Sequence, residues 1–313
     1  MSVHEHATEF AGKPVIEWEP GMKLVDPANN AYRIGLSYDE SEDGASWEEK
    51  FNAFLTEPGS GEVTALVVGV WGDLTGPLEN SRETVEAVAS AAGRLPSLRA
   101  LFLGDIIGEE HEISWIEQTD VSSLFVAYPQ LEHFRVRGGN GLRLGTFRHE
   151  RLKSLVVESG GLDASVVRDV TSSQLPSLEH LELWLGDDNY GASAEMVDLA
   201  PLFTGKLFPK LSSLGLRDSE LSDAIAVAVA HSPVLEQLRV LDLSLGTLSD
   251  DGAAVFLSSP AAARLELLDL HHHFCSDEMI EKLEAAGIKV DASEPQLPDE
   301  DGNELYRYVA VSE

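Results

Sequence analysis

Cysteine and basic residues are the two classes that this 313-residue chain has least of. Its one cysteine, Cys275, cannot form an internal disulfide. Disulfides are typical of secreted proteins, so we expect a reducing compartment. Lys and Arg number 22 against 54 Asp and Glu, which gives a formal net charge of -32. So acidic a surface repels nucleic acid and anionic membranes, and neither is an expected partner.

Long apolar runs are also lacking. No stretch approaches the roughly 18 apolar residues that a membrane-spanning helix needs. The first residues, Met1 to His6, lack the basic start and the apolar run of a signal peptide. We therefore expect a cytoplasmic protein with no membrane partner.

What the chain has instead is a recurring Leu-x-x-Leu-x-Leu string. Successive strings start 33, 21, 26, 33, 27 and 27 residues apart, and a weaker copy begins at Val63, 35 residues before the first. Such a period is the signature of leucine-rich repeats. The strings begin at Leu98, Leu131, Leu152, Leu178, Leu211, Leu238 and Leu265.

Each string alternates apolar and other residues, which is the pattern of a strand that buries one face. Helical patterns lie between the strings, and three of them start with a Ser-Asp pair at Ser222, Ser249 and Ser276. Ser is a favourable N-cap, and Asp is favourable at the positive end of a helix. The sequence therefore predicts an α/β leucine-rich-repeat solenoid, with a curved parallel β-sheet on the concave face and helices on the convex face.

The repeat pattern divides the chain into three parts. Residues 1–60 lack the string and are predicted to form an N-terminal cap, residues 61–291 the solenoid, and residues 292–313 an acidic linker and a C-terminal strap. We expect the strap, Tyr306 to Val311, to cover the C-terminal end of the sheet, because an open edge invites aggregation. The interval from Leu131 to Leu152 is too short and too rich in glycine for a helix.

Positions five and seven of each string should point onto the concave face. Three of the 22 basic residues fall there near a tryptophan, and Arg and Trp are typical of interaction hot spots. The alternative is that these arginines form solvated ion pairs with Glu158 or Glu182 that contribute little. The predicted partner-binding residues are Arg135, Arg137, Glu182, Trp184, Arg217, Asp242, Asp269 and His271.

Two features of the same face raise the question of catalysis. Asp242 and Asp269 occupy equivalent positions on adjacent predicted strands, and carboxylates so close can raise one pKa or recruit a cation. No Ser/His or Cys/His set accompanies them.

The run His271 to His273 should splay its side chains too widely to bind one metal ion, with His273 replacing the inward Asn of the usual repeat. We therefore predict no catalytic residue, no metal and no cofactor, and a buried Cys275.

Six segments of the chain carry a resemblance to a known family: 6–15, 100–105, 113–116, 157–162, 183–186 and 268–273. They resemble a family of uncharacterised bacterial cytoplasmic leucine-rich-repeat proteins with ribonuclease-inhibitor-like repeats, and the resemblance extends over nearly the whole chain. It implies a supporting role in a small biosynthetic system, because members are encoded near radical-SAM and ATP-grasp enzymes, so that the protein partner would be an enzyme of such a cluster. The family offers no catalytic residues to transfer.

The sequence therefore favours a non-enzymatic scaffold that binds a protein partner on its concave face, because stacked repeats present a broad sheet and no convincing catalytic set is found. One alternative is a metal-dependent or acid/base hydrolase that uses the concave-face carboxylates. A second is a purely structural subunit.

Overall fold

The computed structural model describes residues 3–74, 76, 78–301 and 304–312. These residues form two compact units, unit 1 up to Val157 and unit 2 from Glu158 to Ser312. Each unit is described by itself.

The strands of unit 1 lie side by side in sequence order. A short antiparallel hairpin joins β1 to β2, and β2 to β6 pair in parallel. Strands β2 and β3 fall within residues 1–60, so the parallel sheet begins inside the segment that the sequence assigns to a cap. The strands are β1 (Glu9–Phe10), β2 (Lys13–Glu17), β3 (Ala31–Ile34), β4 (Ala65–Val68), β5 (Ala100–Leu103), β6 (His133–Arg137) and β7 (Ser154–Glu158), the last at the unit boundary.

Short helices connect these strands. Ser46 caps α2 by accepting a hydrogen bond from the backbone N–H of Glu49. No helix occurs in 138–153, all of which the structure describes, and the short glycine-rich interval forms turns and bridges as predicted. The helices of unit 1 are α1 (Tyr38–Glu42), α2 (Trp47–Phe54), α3 (Arg82–Ser90) and α4 (Ser122–Ala127).

Unit 2 alternates strands and helices more regularly. Strands β8 to β12 pair in parallel, and β13 and β14 form a separate antiparallel pair. The strands are β8 (His180–Gly186), β9 (Ser213–Ser219), β10 (Val240–Asp242), β11 (Leu267–Asp269), β12 (Val290–Asp291), β13 (Asp299–Asp301) and β14 (Glu304–Tyr306). The helices are α5 (Ala164–Ser172), α6 (Met196–Leu199), α7 (Ser222–Ala230), α8 (Asp250–Ala253) and α9 (Asp277–Ala285).

The leucines of the strings form the core of unit 2. Leu214, Leu241 and Leu268 lie in register on adjacent strands and are fully buried. Because side chains alternate along a strand, the residues next to these leucines on each strand lie on the opposite face of the sheet. We call it the outer face; it is the face that the sequence predicts to be concave. Parallel strands in sequence order with helices between them confirm the predicted α/β leucine-rich-repeat fold.

The Ser-Asp phrase has the predicted capping role in two of its three copies. The Ser249 and Ser276 side chains accept hydrogen bonds from backbone N–H groups of α8 and α9. Helix α7 instead has Leu221 at its N-cap, and the Ser222 hydroxyl donates to the carbonyl of Ser219. The prediction of a Ser222 cap is wrong, because that hydroxyl donates to the carbonyl of the last residue of β9.

The predicted strap, Tyr306 to Val311, is divided in the structure: Tyr306 ends β14, and residues 307–312, which we call the C-terminal strap from here on, cross the loops that follow the strands of unit 2. The backbone N–H of Ala310 donates to the carbonyl of Leu245, and that of Val311 donates to the Asp218 carboxylate. The Tyr308 ring packs edge-on against Phe274. The strap thus lies along the carboxyl ends of the strands, whereas the sequence placed it over the last strand edge.

Candidate functional site

The outer face of unit 2 brings together most of the predicted site residues. Strand register aligns Glu182, Gly215, Asp242 and Asp269 in one row across β8 to β11, and it pairs Trp184 with Arg217 one step further along. Six polar residues of this face form a group that we call the polar strip: His180, Glu182, Arg217, Asp242, Asp269 and His271.

Arg217 lies at the centre of the polar strip. Its Nη1 donates to Glu182 Oε1 at 3.0 Å, and its Nε donates to the Ser244 hydroxyl at 2.9 Å and lies 3.3 Å from Asp242 Oδ2. Its Nη2 lies 3.4 Å from Nε2 of His271. The side chain is only 8% exposed, so this cation is almost fully compensated from within the strip.

Gly215 leaves the space that these contacts need. A Cβ atom at this position would lie 3.1 Å from Cγ of Glu182 and 3.5 Å from Cγ of Arg217. Since 3.1 Å is shorter than an ordinary carbon–carbon contact, a larger residue would displace the Glu182 side chain.

Trp184 is buried rather than presented to solvent. It is 1% exposed, its Nε1 donates to Glu182 Oε1 at 2.7 Å, and the Arg217 guanidinium lies 5.0 Å from its ring centroid. A cation over an indole face is a favourable contact. In this structure the predicted Trp and Arg pair therefore stabilises the outer face itself.

The carboxylates of the strip have different pKa values because their environments differ. Burial would raise the pKa of Glu182, but the hydrogen bond from His180, the charge of Arg217 and the bond from Trp184 together hold it well below its usual range. Burial of Asp242 outweighs the attraction of Arg217, so its pKa is raised. Burial opposes ionisation of Asp269 too, yet its bonds from His271 lower its pKa.

His271 and Asp269 form a close imidazole–carboxylate pair. His271 Nδ1 lies 2.7 Å from Asp269 Oδ1, and this hydrogen bond raises the pKa of His271 more than burial lowers it. Nε2 of the same ring faces Arg217. A neutral ring with its proton on Nδ1 satisfies both contacts, because Nε2 then accepts from the guanidinium.

The other predicted residues lie in unit 1. The Arg135 guanidinium lies 4.4 Å from the ring centroid of Phe102, and Arg137 donates to the carbonyl of Ile106 at 2.8 Å. Both arginines are buried, like Arg217. They pack on the outer face of their own unit.

The predicted structural role of His273 and the predicted burial of Cys275 are confirmed. Nδ1 of buried His273 accepts from the backbone N–H of Cys275, and its Nε2 lies 3.1 Å from the carbonyl of Ala292, so the ring takes the place of the usual Asn. Burial raises the pKa of the Cys275 thiol to about 12.

Two groups of charged residues escape prediction from the sequence. In unit 1, residues far apart in the chain assemble an ion cluster around the buried pair of Arg33 and Asp105: His6, Glu17, Arg33, Asp105 and Glu110. In unit 2, Asp187, Asp188 and Glu220 have ligand atoms within 4.8 Å of one another, the one such group among the described residues. These three are mainly exposed and lie outside the polar strip.

Comparison with solved structures identifies a clear relative. A protein from Bacteroides fragilis with a known crystal structure is 34% identical, matches 84% of this chain and 74% of its own, and superposes with a TM-score of 0.79. The chain belongs to the family of this protein. An internalin from Listeria monocytogenes matches 91% of the chain and 86% of its own at 13% identity and a TM-score of 0.36, values too low to support an inference.

The other comparisons gave no match, either to a protein-family model or to a curated protein. Among the described residues, none of the helices has the length and apolar composition needed to cross a membrane.

Proposed function

We propose that the protein is a non-enzymatic scaffold that binds a protein partner through the polar strip. The observation that carries the proposal is the difference in burial between the charged groups of the strip. Arg217 is buried at the floor, whereas the three carboxylates and two imidazoles around it are 14% to 35% exposed. A partner therefore meets carboxylate and imidazole groups first.

The chemistry of this rim favours a basic partner surface. Glu182, Asp242 and Asp269 outnumber the one permanent cation of the strip, and the whole chain carries a formal charge of -32. Lys or Arg side chains of a partner would gain charge-assisted hydrogen bonds at the rim and would be attracted from a distance. Side chains on paired strands are already held in place, so little conformational entropy is lost on binding.

The geometry supports this role better than acid/base hydrolysis. A general base needs a free ring nitrogen, but Nε2 of His271 faces Arg217 at 3.4 Å. The Ser244 hydroxyl accepts a hydrogen bond from the same guanidinium. The two groups that could perform catalysis thus contact the buried cation.

Affinity capture from the native cell tests the proposal with two matched variants. The strip variant, Glu182→Gln with Asp269→Asn, removes two negative charges from the rim with little change in shape. The control, Asp251→Asn with Glu278→Gln, removes two charges from exposed positions on α8 and α9. We expect the wild type and the control to capture the same protein, and the strip variant to bind it at least tenfold more weakly. The captured protein should be released as the salt concentration rises.

Two results would contradict the proposal. Equal capture by the strip variant and the control would exclude the polar strip as the binding surface. A wild-type protein that captures nothing above the empty matrix would favour the structural-subunit alternative. Melting temperatures of both variants identify any loss of folding.

A further inference from the structure

The outer face of unit 1 differs in character from that of unit 2. Ala31, Ala65 and Ala100 form one row across β3 to β5, and Arg33, Val67 and Phe102 form the next. All six are buried. Where unit 2 has the polar row of Glu182, Asp242 and Asp269, unit 1 has a mainly apolar surface with a row of alanines and one buried cation, Arg33.

The N-terminal segment, residues 3–10, covers this apolar surface. Val3, Ala7 and Phe10 are buried, whereas the residues between them are exposed or half-buried. Ala7 and Phe10 pack in one cluster with the alanine row, and the ring centroids of Phe10 and Phe102 are 5.8 Å apart. The segment therefore lies on the sheet as a bound peptide would, with every third or fourth side chain directed into the surface.

A charged contact fixes the register of the segment. Nδ1 of His6 lies 3.5 Å from Asp105 Oδ2, and its Nε2 lies 3.3 Å from Glu110 Oε1. Asp105 also accepts from Arg33 Nε at 2.9 Å and from the backbone N–H of Ala7 at 3.2 Å. Asp105 is completely buried, so its charge is compensated by both the sheet and the segment.

The segment is attached to the rest of unit 1 more weakly than the strands below it. Strand β1 has two residues and pairs only with β2, whereas β3, β4 and β5 each have parallel neighbours on both sides. Beyond that hairpin, the backbone hydrogen bonds of residues 3–10 include those from Gly108 to Val3 and from Val15 to Thr8. Release of the segment would leave the parallel ladder intact.

We propose that residues 3–10 are an autoinhibitory latch on a second docking surface, the mainly apolar outer face of β3 to β5, and that this surface binds a partner peptide. The peptide has the chemistry of the latch: a cationic side chain, a small apolar residue directly after it, and an aromatic residue three positions further on. This surface lies in unit 1 and is independent of the polar strip.

A peptide-binding experiment tests the latch in the full chain. The probe is a fluorescently labelled peptide with the sequence of residues 3–12, and the opened variant is Ala7→Asp with Phe10→Asp, which sets two carboxylates against the apolar surface and Asp105. The control, Thr8→Asp with Glu9→Asp, changes exposed positions of the same segment. We expect the opened variant to bind the probe at least tenfold more tightly than the wild type and the control. Binding should be lost when His6 and Phe10 of the probe are both replaced by Ala.

A folded opened variant that does not bind the probe, or that binds the altered probe equally well, would overturn the proposal. Hydrogen exchange of the wild type gives a second test that needs no variant. The amides of Ala7 and Val15 should exchange through a local opening, faster than those of β4 and β5. Exchange of all these amides at one rate, that of global unfolding, would show that the segment is a fixed part of the fold and would equally overturn the proposal.

Discussion

Asp223, at the start of α7, accepts two hydrogen bonds from Ser249 in the next repeat, from the backbone N–H at 2.8 Å and from the hydroxyl at 2.8 Å. Asp250 accepts the same pair of bonds from Ser276, at 2.7 and 2.8 Å. The Ser-Asp phrase thus joins consecutive repeats as well as capping helices. Each Ser at the end of one loop is held by the Asp of the repeat before it.

Replacement of Asp223 by Ala should therefore destabilise unit 2 more than its half-exposed position suggests. The substitution leaves the Ser249 backbone N–H without its acceptor and removes the partner of Arg307 in the strap. We expect a loss of about 1.5–3 kcal/mol, the usual contribution of hydrogen bonds to a charged group. Urea unfolding measures it, with Asp251→Ala on the exposed side of α8 as control. Equal midpoints for the two variants would contradict the joining role.

Arg217 should be one of the most sensitive positions of unit 2. Its removal leaves Glu182 and Asp242 without the cation between them, and breaking a buried ion pair by removing one partner costs about 3–5 kcal/mol. Arg239 offers the matched control, because it also contacts a carboxylate, Glu266, but both side chains are exposed. We expect Arg217→Ala to lower the urea midpoint strongly and Arg239→Ala to leave it unchanged. Similar shifts for both would show that the strip is solvated.

These contrasts show how far the sequence determines the site. The repeat period fixes strand register, so the row of Glu182, Asp242 and Asp269 could be predicted from spacing alone. The burial of Trp184 could not, because it depends on how long side chains on adjacent strands fill the space above Gly215. The pattern marks which face a side chain occupies but leaves open whether its neighbours cover it.

The missed features of unit 1 have a different cause. His6, Arg33 and Asp105 meet although 72 residues separate the last two, and no local pattern connects them. Strands β2 and β3 lack the leucine string, since Ile16 and Tyr32 stand at the inward positions, so the period gave no sign that the sheet extends to them. These features depend on contacts between residues that are far apart in the sequence, and a repeat pattern does not reveal such contacts.

The latch should respond to alkaline pH. The contact with the Asp105 carboxylate, and then that with Glu110, raises the pKa of His6 from 6.5 to about 9. A raised folded-state pKa gives stability that is complete below the unfolded value of 6.5 and is lost as pH rises through about 9. The free-energy difference between wild type and His6→Gln should therefore be largest below pH 6.5 and small near pH 10. Because His6 is partly exposed, we expect about 1 kcal/mol.

Urea unfolding between pH 6 and 10 measures this difference, with His4→Gln as the control on the exposed side of the same segment. A His6 contribution that grows with pH, or one that His4 shares, would show that the charge of His6 does not hold the latch.

Asp218 gives a prediction of the opposite kind, because its charge should weaken the fold. It is fully buried, its Oδ1 accepts from the backbone N–H of Val311, and its Oδ2 has no hydrogen-bond partner among the residues that the structure describes. Burial raises its pKa well above 3.8, and the backbone bonds of the strap offset only part of that effect. The unfolded chain ionises Asp218 more readily than the folded chain does. Wild-type stability should therefore fall as pH rises from 3.8 through the folded-state pKa.

Replacement of Asp218 by Asn keeps an oxygen for the strap and removes the charge. We expect Asp218→Asn to be more stable than wild type at pH 7, by about 1–3 kcal/mol, because the wild type must there either bury a charge or bind a proton and the amide does neither. At pH 3 the difference should be small, because the wild-type carboxyl is then protonated in both states. Urea unfolding at the two pH values measures it, and Asp251→Asn controls for a general effect of removing negative charge. An Asn variant that is less stable than wild type at pH 7 would mean that the strap binds the ionised carboxylate and that its charge supports the fold.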